Sequence, residues 1–207
     1  MKIIFTTALL FVTAMVFAQE FPSDMWHEGK LITVDGDTLR GNIKYSLETD
    51  AVQLEINKSV QTYSARKIIH FDIYDKYFES YRQFYALPYE TSPNYKVPVL
   101  FEVLYEGPLT LLCREYITQE NVPQYNTGYY NNNRVYSTYR LSYKYFFVTE
   151  KGEMIPYYLK KKELLEMLQK KGPQIKQFIK TNNLRHDRRG DLVRITAYYN
   201  SLLSGRF

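Results

Sequence analysis

The sequence predicts an α+β fold: an antiparallel β-rich domain of about eight strands, followed by about three C-terminal amphipathic helices. Three observations predict it. Apolar and polar residues alternate with a period of two in runs between Ile32 and Tyr158, as in strands with one buried and one wet face. Short turns such as Asp35-Gly36-Asp37, Gly107-Pro108 and Lys151-Gly152 separate these runs, which argues for antiparallel neighbours. Near Leu159 the apolar period becomes helical. The pattern fits a sandwich, a barrel or one curved sheet alike.

The chain has 207 residues and opens with an apparent secretory signal. Met1-Lys2 gives the basic start, Ile3 to Phe17 the apolar middle, and Val16-Phe17-Ala18 the small-residue cut. The run is shorter than the ~20 residues of a helical membrane span. No later stretch approaches that length without charges. The expectation is removal of residues 1–18 and export to the periplasm or beyond, with no transmembrane helix in the mature chain. Cys113 is the only cysteine. None stands at the cut to carry a lipid, and no internal disulfide can form. The β domain is expected over 19–158 and a basic helical segment packing on it over 159–207.

Within the β domain, Gly29 to Tyr45 reads as a hairpin. Ile32 and Val34 lead into the Asp35-Gly36-Asp37 turn, and Leu39, Gly41, Ile43 and Tyr45 return on one face. Gly36 suits the positive φ that a tight hairpin requires. Val52, Leu54 and Ile56 make the next strand; Ile69, Phe71 and Ile73 follow, leaving His70 and Asp72 to solvent. Phe78 to Tyr85 continues the pattern more loosely, and Pro88, Pro93 and Pro98 mark a loop. Val99 to Tyr105, Leu109 to Cys113, Tyr139 to Phe147 and Met154 to Tyr158 complete the strands.

In the helical segment, Leu164, Leu165 and Leu168 share one face. Gly172-Pro173 is expected to end that helix, with glycine in a left-handed cap. Ile175, Phe178 and Ile179 line a second helix, and Leu192, Ile195, Tyr199 and Leu202 a third, with Asp187 or Asp191 as its cap. Stripes this narrow pack on the sheet or on one another.

Charge is unevenly placed. Lys+Arg exceed Asp+Glu by five overall, but between Lys160 and Gly190 ten basic residues face three acids. Lys160, Lys161, Lys162, Lys170 and Lys171 form the densest part. Such a field suits an anionic membrane surface or glycan; a solvated helix face accounts for the same residues. Nucleic acid ranks last among partners because the chain is exported.

A second outlier is Asn121 to Thr138, where Tyr125, Tyr129, Tyr130 and Tyr136 lie among Asn131, Asn132 and other small polar residues. Tyrosine offers flat apolar area and asparagine adaptable hydrogen bonds, so this loop is a candidate contact for an envelope protein or glycan. A low-complexity hairpin tip accounts for it too.

No cofactor, metal or catalytic set is expected. His70 and Asp72 have no assignable nucleophile and read as a cross-strand ion-pair position. His27 and His186 lack metal-ligand spacing. Cys113 shares a face with Leu109 and Leu111 as a small core residue. Asp35-Gly36-Asp37-Thr38 lacks the remaining ligands of a calcium loop. Trp26 reads as an anchor at the start of the core.

The run Trp26-x-x-Gly29-x-x-Ile32, then Gly36-Asp37-Thr38-Leu39-x-Gly41-x-Ile43-x-Tyr45, resembles a group of uncharacterised secreted proteins of Bacteroidetes-type bacteria. Phe101-Glu102-Val103-Leu104 with Gly107, and Tyr198-Tyr199-Asn200, are similar too. The resemblance implies a Gram-negative cell envelope and assigns no catalytic residue.

The expected function is that of a non-enzymatic envelope or secreted protein binding another surface molecule: protein, glycan or anionic lipid. The alternative is a hydrolase of envelope glycan or peptide using carboxylates such as Asp72, Glu102 and Glu106, which need a separation of about 5–10 Å for glycoside chemistry.

Overall fold

A computed structural model describes residues 20–123 and 135–205. Residues 1–18, expected from the sequence to be a secretory signal, lie outside the described residues. Among the described residues ten strands form one antiparallel sheet. They are β1 (His27–Thr33), β2 (Thr38–Ser46), β3 (Ala51–Ile56), β4 (Ser59–Ser64), β5 (Ile68–Asp75), β6 (Ser80–Ser92), β7 (Tyr95–Tyr105), β8 (Thr110–Pro123), β9 (Val135–Val148) and β10 (Met154–Tyr157). Helices α1 (Lys161–Met167), α2 (Gly172–Thr181) and α3 (Arg189–Ser204) follow. The sheet order is β10-β9-β8-β7-β6-β5-β1-β2-β3-β4. Among the described residues no helix is long and apolar enough to cross a membrane.

Of the three sheet forms the sequence allows, the chain takes the curved one. Tyr45 of β2 donates a 2.5 Å hydrogen bond to Glu115 of β8. Those strands are five places apart in the sheet, about 24 Å if flat at ~4.8 Å per strand. The sheet therefore curls until its inner face meets itself. Gly29 and Gly41 lie opposite each other on β1 and β2. A Cβ on either would collide with a strand carbonyl, of Asp72 and Glu55 respectively. Glycine permits this close backbone approach.

One inner-face register line runs Leu31, Phe71, Phe84, Glu102, Cys113, Tyr145, Tyr157 across adjacent strands. Its first part belongs to a core made by β1–β3, β5 and β6 around Ile43, Tyr45, Phe71 and Phe84. Its last part is covered by the helices, whose Leu164, Leu168, Ile175, Leu192, Ile195 and Tyr199 pack on Leu111, Cys113, Tyr145 and Phe147. A third cluster, Val99, Phe101, Leu112 and Phe146, lies on the other face. Asn200 of α3 clasps the β7–β8 turn: its Oδ1 accepts the Leu109 N–H and its Nδ2 donates to the Leu109 carbonyl, both at 2.8 Å.

Several local expectations change. β4 has too little apolar content to show as alternation; Asn57 and Lys58, both at positive φ, make its turn. The proline loop is instead a β6–β7 hairpin with Pro88 opposite Pro98. Two directly opposed prolines fit a pair position that exchanges no N–H bonds. Ile69 is exposed because it is the extra residue of a bulge in β5: Ile32 pairs with His70 and Thr33 with Ile68, which skips Ile69. Gly172 is right-handed and begins α2. Arg188, not an aspartate, precedes α3, while Asp191 in its first turn accepts the Arg185 N–H.

Candidate functional site

The apolar inner face is interrupted where the two halves of the core meet. There β5, β6, β7 and β8 each place one charged side chain inward: Asp75, Arg82, Glu102 and Glu115, all buried. Arg82 uses every N–H it has. Its Nε and Nη2 grip both Glu102 oxygens at 2.9 and 2.7 Å. Nη2 also donates to Glu115 at 2.8 Å, and Nη1 donates to Asp75 at 2.5 Å and to the Tyr45 hydroxyl at 2.8 Å. Arg189, from the start of α3, caps Glu102 from the other side and donates to the Cys113 sulfur. The rings of Phe84 and Phe78 lie 4.9 and 5.2 Å from the Arg82 guanidinium.

Burial pushes the Glu102 carboxyl up, but hydrogen bonds and charge from Arg82 and Arg189 prevail and hold it at about 2. Burial pushes the Tyr45 hydroxyl well up, with Arg82 opposing it. Burial and the Glu102 charge raise the Cys113 thiol. Glu102 is therefore a fixed carboxylate, and Cys113 a protonated core thiol. His27, also buried, bridges Pro22 O through Nε2 and the Lys76 N–H through Nδ1.

This network floors a cleft of about 810 Å³ between the end of β2, the β2–β3 turn and the base of the β8–β9 hairpin, within the ~300–1,000 Å³ of ligand pockets. Tyr45 and Glu115 lie at its floor; Lys44, Gln53, Thr62, Tyr116, Ile117 and Lys144 are among its walls. The Lys144 ammonium sits 5.1 Å over the Tyr116 ring. The cleft's Arg114 is committed elsewhere: it binds Asp50 at 2.7 Å and the Leu47 carbonyl, tying the β2–β3 turn into the fork where β7 leaves β8. Among the described residues Lys44, Lys144, Asp24 and Glu48 make no ion pair within 4 Å, so the walls offer charge of both signs.

The sequence candidates fall elsewhere. Tyr125, Tyr129, Tyr130, Asn131 and Asn132 lie outside the described residues; Tyr136 pairs with Val122 in the β8–β9 ladder. Lys160, Lys161, Lys162 and Lys170 are exposed and Lys171 half-buried on the helical side. Lys160 and Lys162 pair with Glu163 and Glu166 at 3.1 and 3.8 Å, while Lys161 and Lys162 line a shallow groove with Leu165, Pro173 and Lys176. Asp72 pairs with Lys30 across β1 and β5 at 3.0 Å. Asp72 and Glu102 point to opposite faces, and Glu106 is exposed beyond β7, so these three carboxylates do not form one inward set. Among the described residues no three His, Cys, Asp or Glu side chains gather to hold a metal ion.

The cleft and its floor are what sequence reading missed. The available signal was a charged residue at an inward strand position: Arg82 two before Phe84, Glu102 two before Leu104, and Glu115 two after Cys113. Comparison of the chain with protein-family models, curated proteins and solved structures gives no match.

Proposed function

We propose that the protein is an exported, non-enzymatic envelope or secreted protein that binds another surface molecule, and that the cleft above Tyr45 and Glu115 receives it. The observation that carries this reading is a mixed-polarity cleft whose floor is fixed by a fully bonded Arg82. A floor already ordered before binding lowers the cost of binding. The walls combine an exposed aromatic ring, hydroxyls, an amide and unpaired charges, which suits a polar ligand with some apolar surface. The basic groove on α1 and α2 is a second contact surface, suited to anionic lipid or glycan.

The test is site-specific photo-cross-linking in living cells, with the reactive residue at Gln53 in the cleft wall and at exposed Val34 as control. Capture of one molecule at Gln53, absent at Val34 and reduced by the Lys44→Ala, Lys144→Ala double variant, is the expected result. Equal labelling at both positions rejects the cleft as the receiving site.

A further inference from the structure

We infer that β8 is an open template on which an extended polypeptide segment of an envelope partner is added as a further strand, its end entering the cleft. This inference rests on the binding reading above. β9 pairs with β8 from Thr110 to Pro123, whereas β7 pairs with it only from Leu111 to Cys113. From Tyr116 outward, one hydrogen-bonding edge of β8 has no strand beside it among the described residues. The ribbon is also bare on its faces: Tyr116, Ile117 and Tyr139 are 41, 44 and 51 % exposed. A two-stranded ribbon is marginal in water by itself and gains stability from a third strand.

Among the described residues the other edges carry protection within their unpaired stretch that Tyr116 to Val122 lacks. β10 is four residues long and contains Pro156, and the part of β9 that β10 leaves unpaired, 135–144, carries Arg140 and Lys144. β4 has six residues, bracketed by Lys58 and Arg66. The free sides of the β6–β7 hairpin hold Pro88, Pro98 and Lys96. Short length, proline and lysine are the usual devices that keep sheet edges from pairing. From Tyr116 to Val122, β8 reads Tyr-Ile-Thr-Gln-Glu-Asn-Val, with no lysine, arginine, proline or glycine before Pro123 ends the strand. It is rich in residues that favour strands.

The cleft identifies the occupant. β8 contributes Glu115, Tyr116 and Ile117 to it, so the free edge and the cleft are continuous. Two copies pairing arm to arm would leave the cleft unfilled, whereas one extended segment lies along both. Main-chain bonds would supply affinity and alternate side chains specificity. Ile117, Leu141 and the Tyr116 ring offer apolar contacts, and Lys44, Lys144, Asp24 and Glu48 polar ones of either sign.

The experiment places the photo-reactive residue at Gln119 and, separately, at Gln53 in the full chain in cells. The polypeptide segment joined at Gln119 is identified by mass spectrometry, synthesised and titrated against the purified protein. Two versions of that peptide are N-methylated at odd or at even positions. One series should bind at least about tenfold more weakly than the other, because only alternate amides of an added strand face β8. Ile117→Lys should weaken the unmodified peptide by a similar factor with the circular dichroism spectrum unchanged. Equal binding of the two methylated series overturns strand addition, as does a label joined to a glycan or to a second copy. Capture at Gln53 without capture at Gln119 removes strand addition and leaves the cleft reading standing; capture at neither removes both.

Discussion

Removing the Arg82 guanidinium tests the architecture most directly. Arg82→Ala leaves Asp75, Glu102 and Glu115, all at 6 % exposure or less, with Arg189 as the one arginine still bonded to them and with hydrogen bonds from the Tyr45 hydroxyl, the Cys113 thiol and the Tyr77 and Phe78 N–H groups. Breaking a buried ion pair from one side costs about 3–5 kcal/mol, a large part of the 5–15 kcal/mol that holds a typical domain folded. At about 2–4 °C per kcal/mol for a domain this size, the midpoint should fall by roughly 6–20 °C. The acid limb should change as well. In the native protein Glu102 is held at about 2 against 4.5 for the free side chain. A carboxyl lowered on folding contributes stability that is present above its unfolded value and lost as pH falls through its folded one. That contribution is on the order of 3 kcal/mol, at 1.36 kcal/mol per pH unit. Wild-type stability should therefore decline from about pH 5 towards pH 2. In Arg82→Ala Glu102 loses the partner that lowers it most, so the decline over the same interval should be shallower. Urea titrations at pH 7, 5 and 3 measure both effects. A destabilisation under 1 kcal/mol, or parallel pH curves for the two proteins, would refute the view that Arg82 neutralises this cluster.

Other outcomes follow from single contacts. Asp50→Ala removes the acceptor of the Leu100 N–H and the partner of Arg114, and should cost about 2–3 kcal/mol by loss of charge-assisted bonds, measured by urea unfolding. Asn200→Leu strands the Leu109 N–H and carbonyl and should cost about 2–4 kcal/mol; thermal melts and amide exchange at Leu109 report it. Gly41→Val forces a side chain against the Glu55 carbonyl and should abolish folded yield, whereas Gly36→Asn, at φ +90 in an open turn, should fold with a loss under ~1 kcal/mol. A thiol reagent at pH 8 should leave buried Cys113 unmodified until denaturant is added, since neither access nor thiolate is provided. If residues 1–18 act as a secretory signal, N-terminal sequencing of the protein recovered from the cell envelope should read Gln-Glu-Phe from residue 19; retention of residues 1–18 would count against cleavage after Ala18.

Much of the sheet was legible because it obeys a local rule. Where one face is buried, Ile43 and Tyr45, Val52 and Leu54, or Phe71 and Ile73 announce their strand by alternation. Strands without a greasy face did not announce themselves: β4 is held by a turn and a neighbour, and the outer part of β8 and β9 is bare. The prolines at 88 and 98 read as breakers because a single strand has no place for them; only the opposed pair makes them compatible. The floor of the cleft was hidden for a related reason. Asp75, Arg82, Glu102 and Glu115 look like ordinary surface charges until four strands bring them together.

By itself the sequence determined the period of the strands with a buried face, the turns at Gly36, Gly107-Pro108 and Lys151-Gly152, and the helical finish, since these depend on neighbours a few residues apart. It also determined the basic bias of the helices and the isolation of Cys113. The curl of the sheet, the meeting of β2 with β8 and the pairing of Arg82 with three carboxylates depend on residues up to seventy positions apart. Those contacts pass through the backbone approach at Gly29 and Gly41 and the docking of α3 through Asn200 and Arg189. Their energies arise only after the chain has closed on itself, so the tertiary structure alone decided where the cleft lies and which edge stays open.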